Sequence, residues 1–287
     1  MLRKYMSSQV ATPAVASRIA APPVALVDGN GYPGSKGQAG TWQRIIGQMP
    51  PHSVYVEPFF GSGQIFWRKR RAESSILIDH NPKVIAAANA RLGADAGVRA
   101  TVGNALKMLP DLFAWLPPDA VCYCDPPYML GTRSKQLLYR FGGASDEMSD
   151  DDHATLLAAL LQAKCRVLIS GYPHSLYSSQ LNGWRCSRYQ TMTRGGLRWE
   201  CLWMNFEEPD DLHDWRFAGF NYRERFALKR FVSRWVDRIE AMPARRRGYV
   251  LHELQNAIVQ RHGRRSRPEA DPATPPLAMT ALTELHR

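Results

Sequence analysis

Ser53-Val-Tyr-Val-Glu-Pro-Phe-Phe-Gly-Ser-Gly63 is the stretch that decides how this chain folds. A short run rich in β-branched and aromatic residues ends at Glu57, and Pro58 begins a turn. Gly61 and Gly63 let the backbone pass close to a ligand. A helix starting directly behind them offers unpaired N–H groups. A G-x-G pair alone is most often a plain turn, so its meaning depends on what surrounds it.

The surroundings alternate between strand and helix signals. Ser75-Ile-Leu-Ile-Asp79 is a second strand, followed by a helix through Ile85-Ala-Ala-Ala-Asn89. Arg99-Ala-Thr-Val102 reads as a third strand, Ala120-Val-Cys-Tyr-Cys124 as a fourth and Arg166-Val-Leu-Ile-Ser170 as a fifth. Ser149-Asp-Asp-Asp152 fits a capping box that opens a helix from Asp150 to Ala163. Strands spaced by helices imply a parallel sheet with right-handed crossovers. Trp184 to Thr191 and Arg198 to Phe206, joined across Gly195-Gly196, form an antiparallel hairpin. The predicted class is α/β, a Rossmann-like sheet that is mostly parallel with an antiparallel C-terminal hairpin. No internal repeat is visible.

The chain has 287 residues, 45% of them hydrophobic, which is enough apolar mass for a sizeable core. No apolar run approaches the roughly 18 residues of a membrane span. Five scattered cysteines exclude a disulfide scaffold and point to a reducing compartment. Net charge is +11, and it is unevenly placed. From Met1 to Asp214, 22 basic and 19 acidic residues leave +3; from Trp215 to Arg267, 14 against 4 leave +10; from Pro268 to Arg287, 1 against 3 leave −2. Residues 1–28 are rich in Ala, Ser, Pro and Val without periodicity, and 268–287 hold four prolines; both read as unstructured. Arg3 and Lys4 ahead of small residues resemble a targeting segment, but Pro13 and Arg18 interrupt it. The expected location is the cytoplasm. Four segments result: a disordered 1–28, an α/β domain at 29–207, a basic helical region at 208–267 and a disordered 268–287.

Open α/β sheets bind ligands at the carboxyl ends of their strands. Besides the glycine turn, two clusters fall there. Asp79 ends the second strand 16 residues after Gly63. Its carboxylate either accepts the hydroxyls of a ribose or caps the helix beginning Asn81-Pro82. Asp125-Pro-Pro-Tyr128 follows the fourth strand. Two prolines freeze the backbone and remove two donors, leaving the Asp125 carboxylate and the Pro126 carbonyl as acceptors beside the Tyr128 ring. That combination suits a planar ring carrying an exocyclic amine. Two acceptors on the amine hydrogens favour a pyramidal nitrogen and stabilise the positive charge that develops on it. A rigid turn is the bland alternative.

Glu57-Pro-Phe-Phe-Gly-Ser-Gly63 with Asp125-Pro-Pro-Tyr128 resembles the S-adenosylmethionine-dependent DNA N6-adenine methyltransferases of the Dam-like (D12) class, most of all their compact, often phage-encoded members. Gly31-Tyr-Pro-Gly-Ser-Lys36 is similar to that family's N-terminal cofactor motif. The resemblance spans Gly31 to Phe206 and implies a methyltransferase sheet in a bacterial, phage or prophage protein. It implies that Tyr32, Pro33, Gly34 and Lys36 border the methionine end of the cofactor. Glu57, Phe59, Gly61 and Gly63 would form the cofactor loop, and Asp79 would hold the ribose. Asp125, Pro126, Pro127 and Tyr128 would be catalytic, with Tyr128 stacking on a base flipped out of the duplex. Two features depart from the family pattern. Asn104 stands where an Asp usually meets the cofactor adenine. Only 61 residues separate Gly63 from Asp125, too few for an inserted recognition domain, so relaxed sequence specificity is expected.

Two segments are candidates for holding DNA. Residues 129–148 lack periodicity and carry Arg133, Lys135, Tyr139 and Arg140; they form either a lid over the flipped base or a surface loop. Phe217 to Glu240 reads as a helix with Leu228, Phe231, Val232, Trp235 and Ile239 on an inward side. Arg223, Arg230, Arg234 and Arg238 lie on another side. Arg245-Arg-Arg247 leads into a second short helix. These arginines track phosphates or form a solvated face. No spacing suggests a metal site, and Cys122 and Cys124 are expected on opposite faces of their strand. Tyr172 and Pro173 are candidates to line the pocket. Alternative readings are an RNA adenine methyltransferase, an enzyme for the cytosine N4 amine, or a non-catalytic DNA-binding protein on a relic fold.

Overall fold

A computed structural model describes residues 36–37, 40–129, 140–141, 144–145, 147–193 and 196–265; side chains are not described at 140–141, 144–145, 193 and 259–265. Tyr32, Pro33, Gly34, Arg133, Lys135 and Tyr139, with segments 1–28 and 268–287, lie outside these residues, and Arg140 is described in its backbone alone.

Seven strands form one sheet: β1 (Val54–Glu57), β2 (Ser74–Asp79), β3 (Val98–Val102), β4 (Val121–Cys124), β7 (Arg166–Gly171), β8 (Arg185–Thr193) and β9 (Gly196–Met204). Two-residue strands β5 (Arg140–Phe141) and β6 (Ala144–Ser145) pair separately, within the segment read as lid or loop. The sheet order is β3-β2-β1-β4-β7-β9-β8, with β9 antiparallel to β7 and β8 antiparallel to β9. The expected Rossmann-like class and its C-terminal hairpin are thus present. The chain runs outward from β1 to β2 and β3, then returns to β4 on the other side of β1. The carboxyl ends of β1 and β4 therefore flank the switch point, the crevice where such sheets take ligands.

The strand cores are buried on both faces, as parallel strands between helix layers must be. Side chains alternate between two clusters. Val56, Ile78, Cys122, Cys124, Val167 and Ile169 pack against α4 (Ala105–Trp115), α5 (Asp150–Leu161) and α6 (Ser175–Gln180). Tyr55, Leu77, Val121, Tyr123 and Leu168 pack against α1 (Thr41–Ile46), α2 (Gln64–Arg68) and α3 (Pro82–Leu92). The opposite-face expectation for Cys122 and Cys124 is wrong. Residues two apart on a strand share a face, and the two sulfurs lie 3.8 Å apart.

Capping settles several boundaries. Asn81, rather than Asp79, caps α3 by accepting from the Lys83 N–H, with Pro82 at the first helical position. The expected Ser149/Asp152 capping box is formed at α5, which ends at Leu161 rather than Ala163. Between Gly63 and Asp125 lie α2, β2, α3, β3, α4 and β4, and no separate domain.

Near the C-terminus, Asp214 caps a single 3-10 turn, Trp215–Phe217. Gly219, with φ near 110°, breaks the backbone before α7 begins at Tyr222. The expected start at Phe217 is therefore five residues early. The next helix, expected to be short, is α8 (Ala244–Arg265): no proline falls between Pro243 and Pro268, and Gly248 and Gly263 do not end it. Contacts divide the chain into Met1–Tyr222 and Arg223–Arg287. This boundary falls after the expected one at residue 207, because residues 213–217 bond into the first unit: His213 N–H donates to the Met49 carbonyl at 2.9 Å, and Phe217 meets the Trp42 ring edge-on at 4.9 Å. Among the described residues, no helix is long and apolar enough to cross a membrane, and no group of three or more His, Cys, Asp or Glu could hold a metal ion.

Candidate active site

The loop after β1 is held from below. The Gly61 N–H donates to Asp79 Oδ2 at 2.7 Å, and the Asn81 N–H donates to Asp79 Oδ1 at 2.9 Å. Asp79 is thus a buried clip between the ends of β1 and β2. Gly61 and Gly63 adopt φ of 50° and 61°. A Cβ on Gly63 would lie 2.3 Å from the Phe60 ring and 2.7 Å from Trp67 Nε1, so no other residue fits without repacking. Phe59 packs at the edge of the core. Asn104 caps α4 through its side-chain oxygen, accepting from the Leu106 N–H at 2.9 Å. Its exposed amide leaves the nitrogen as a donor.

Asp125-Pro-Pro-Tyr128 leaves β4 on the other side of the switch point. Lys36 reaches across from the segment before α1 and sets Nζ 2.7 Å and 2.9 Å from the two Asp125 oxygens. The same ammonium lies 4.7 Å from the centre of the Tyr128 ring. Pro126 is buried and Pro127 half-buried. Tyr172, just past β7, meets the Tyr128 ring edge-on at 4.5 Å, as expected of a pocket-lining residue; Pro173 is exposed.

Two further carboxyls are buried here. Glu57, at the end of β1, accepts from the Tyr55 hydroxyl at 2.9 Å. Burial pushes its pKa up to about 8; the Tyr55 hydrogen bond opposes this and the Asp125 charge adds to it. Glu200, on β9, accepts from the Tyr189 hydroxyl at 3.2 Å. Burial raises its pKa as well, with Lys36 opposing and Asp125 adding. Asp125 is raised by burial against the pull of Lys36. The Tyr128 hydroxyl is buried without a well-formed hydrogen bond, yet lies near enough to Asp125 and Glu200 to favour their ionised forms. Reading the sequence missed Glu200. Its signal was an acid two residues before Leu202, on the inward phase of Leu197-Arg-Trp-Glu-Cys-Leu-Trp203.

Beneath the loop lies a second buried polar group that the sequence did not reveal. Lys69 Nζ sits 4.0 Å from the centre of the Tyr55 ring, 3.3 Å from His52 Nε2 and 3.1 Å from the Arg70 carbonyl. His52 stacks on His213 at 3.7 Å. Burial brings Lys69 down to about 7, against the pull of Glu57. Burial also drives His52 and His213 down to about 2 and 4, helped by the Lys69 charge, so both imidazoles stay neutral near pH 7.

The basic candidates of α7 and α8 belong to the second unit. Arg223, Arg230, Arg234 and Arg238 are exposed along α7 (Tyr222–Glu240), and Arg245 and Arg246 are exposed in the first turn of α8. Arg247 is half-buried and donates to the Glu240 carbonyl at 3.1 Å. The expected inward stripe is not inward: Leu228, Phe231, Val232 and Trp235 are exposed, Ile239 is half-buried, and no residue of α7 is buried. A helical wheel separates faces by polarity, but only a covering element turns an apolar face into core.

No protein-family model matches the sequence, and no curated protein matches it. Several solved structures are similar in part. A SAM-dependent methyltransferase from Agrobacterium tumefaciens is 15% identical, covering 57% of this chain and 58% of that one at a TM-score of 0.39. An rRNA methylase from Streptococcus thermophilus is 9% identical, covering 57% and 93% at 0.38. Magnesium protoporphyrin IX methyltransferase from Synechocystis PCC 6803, with bound SAM, is 14% identical, covering 57% and 75% at 0.36. Each is a likeness in part of the chain and says nothing of substrate.

Proposed function

We propose that this chain is a DNA adenine N6-methyltransferase that uses S-adenosylmethionine and works in a bacterial cytoplasm. The observation that carries the reading is the pairing, across one switch point, of the Gly61/Gly63 loop clipped by Asp79 with Asp125-Pro-Pro-Tyr128 held by Lys36.

The residues fit the cofactor. Gly61 and Gly63 give a loop without side chains, and the Asp79 carboxylate at the end of β2 stands where such sheets meet ribose hydroxyls. The Asn104 amide nitrogen suits an adenine edge, Glu57 and Phe59 would complete the cofactor loop, and Lys36 would border the methionine end. When bound, the cofactor supplies an electrophilic methyl group. The chain's residues then act on the nucleophile. The Asp125 carboxylate and the Pro126 carbonyl accept the two hydrogens of the N6 amine, draw the nitrogen out of conjugation and stabilise the positive charge it acquires. Tyr128 and Tyr172 wall the base, and Pro127 stiffens the turn. A target held this way must leave the duplex. With no domain between the glycine loop and Asp125, we expect relaxed sequence specificity. The arginines of α7 and α8, with Arg133, Lys135, Tyr139 and Arg140, would supply phosphate contacts that carry no sequence information.

The test is transfer of labelled methyl from the cofactor to duplex DNA, to RNA and to substrates whose only target is cytosine, followed by mapping of modified bases. We expect N6-methyladenine in DNA in one- or two-base contexts, lost in a folded Asp125→Ala protein. Preferential RNA labelling selects the RNA enzyme, and N4-methylcytosine the cytosine reading. Normal labelling by Asp125→Ala removes the role of the motif. No cofactor binding by calorimetry returns the chain to a non-catalytic DNA-binding role.

A further inference from the structure

Asp125 meets Lys36 with both oxygens, so a target amine competes with the ammonium for the carboxylate. Both of its oxygens are within 2.9 Å of Lys36 Nζ, and gripping an amine hydrogen requires at least one of them. Lys36 is only 6% exposed, so an ammonium released from Asp125 needs another buried anion. Two are present. Glu57 is bound to Tyr55, and Lys69 is the cation whose charge it feels. Glu200 is bound to Tyr189, and Lys36 is the cation whose charge it feels. Register puts Glu200 in the pocket: Cys201 pairs with Gly171, so Glu200 stands level with Tyr172, whose ring meets Tyr128. The groups acting on Glu200 are Lys36 before α1, Asp125 and Tyr128 after β4, and Tyr189 on β8. Arg44 of α1 lies 4.6 Å over the Tyr189 ring.

We propose that Glu200 is a positioning residue: it receives Lys36 when Asp125 turns to the target amine, and so frees the Asp125 oxygen. The proposal rests on the methyltransferase reading, and it names a residue that reading does not include. An ionised Glu200 is required to take the ammonium. Transfer should therefore rise with pH as Glu200 loses its proton.

Two measurements on the full chain test it. The first is a crystal structure of Asp125→Ala. We expect Lys36 Nζ on the Glu200 carboxylate; Lys36 on Glu57 or turned to solvent would overturn the proposal. The second is methyl transfer by Glu200→Gln and Glu200→Asp across pH. We expect Glu200→Gln to lower kcat about tenfold or more with KM little changed, and to lose the rise with pH. Glu200→Asp should recover part of both. Wild-type kcat with an unaltered pH profile in Glu200→Gln is the opposing result. If the wild-type chain methylates nothing, the methyltransferase reading falls, and the seat of Lys36 in Asp125→Ala still decides this one.

Discussion

The Gly61 N–H donates to Asp79 Oδ2 at 2.7 Å, tying the turn after β1 to the end of β2. A residue read as a ligand contact is therefore also a structural clip. Asp79→Ala leaves two backbone N–H groups, of Gly61 and Asn81, without their acceptor. We expect a loss of about 2–4 kcal/mol in urea unfolding and cofactor affinity reduced by more than about tenfold in calorimetry. Full stability in that variant would mean the loop is held by other contacts.

Gly63→Ala adds a methyl where the Phe60 ring and Trp67 Nε1 already stand, at a φ of 61°. Overpacking and the left-handed backbone together should cost about 2–4 kcal/mol. Denaturant midpoints measure the cost. The near-ultraviolet signal of Trp67 should change with them.

Glu57 carries a predicted pH dependence. Its folded pKa is raised to about 8 by burial, so between about 4.5 and 8 the unfolded chain has lost a proton that the folded chain keeps. Stability from this group is full below its unfolded pKa and is lost as pH rises through the folded one, at up to about 1.4 kcal/mol per pH unit. Glu57→Gln still accepts from Tyr55 but cannot ionise. Its stability relative to wild type should climb steadily from pH 5 to about 8. A difference that stays flat over that range would place Glu57 in its ionised form throughout.

Truncation separates the two units. Ending the chain after Tyr222 removes only residues outside the first unit, so the unfolding midpoint of that unit should hold. Ending it after Glu208 removes buried His213 and Asp214, whose carboxylate accepts from the Arg70 N–H at 2.9 Å, and strips Phe217 from Trp42. That variant should lose about 2 kcal/mol or more. On the proposed function, both should bind DNA more weakly and with a shallower salt dependence.

The elements were legible because their signals are local. Val54–Glu57 and Ser74–Asp79 declare themselves by composition, and Ser149 with Asp152 by capping chemistry. The exposed stripe of α7 was misread because periodicity shows that a helix has an apolar face but not that anything covers it. Residues 213–217 carry no regular pattern, and their attachment to Met49, Arg70 and Trp42 is wholly long-range, so it is invisible along the chain.

The amino-acid sequence alone determined the α/β class, the main strands and the C-terminal hairpin, the positions of the glycine turn and of Asp125-Pro-Pro-Tyr128, and the place of the surplus charge. These follow from neighbours along the chain, where backbone sterics, side-chain period and capping act. Only the tertiary structure decided what surrounds Asp125. Lys36 is 89 residues away and Glu200 lies on a strand that joins the sheet last. Whether charges so distant in sequence meet in one buried site depends on strand order and register, and burial then sets how many of the three carboxyls ionise.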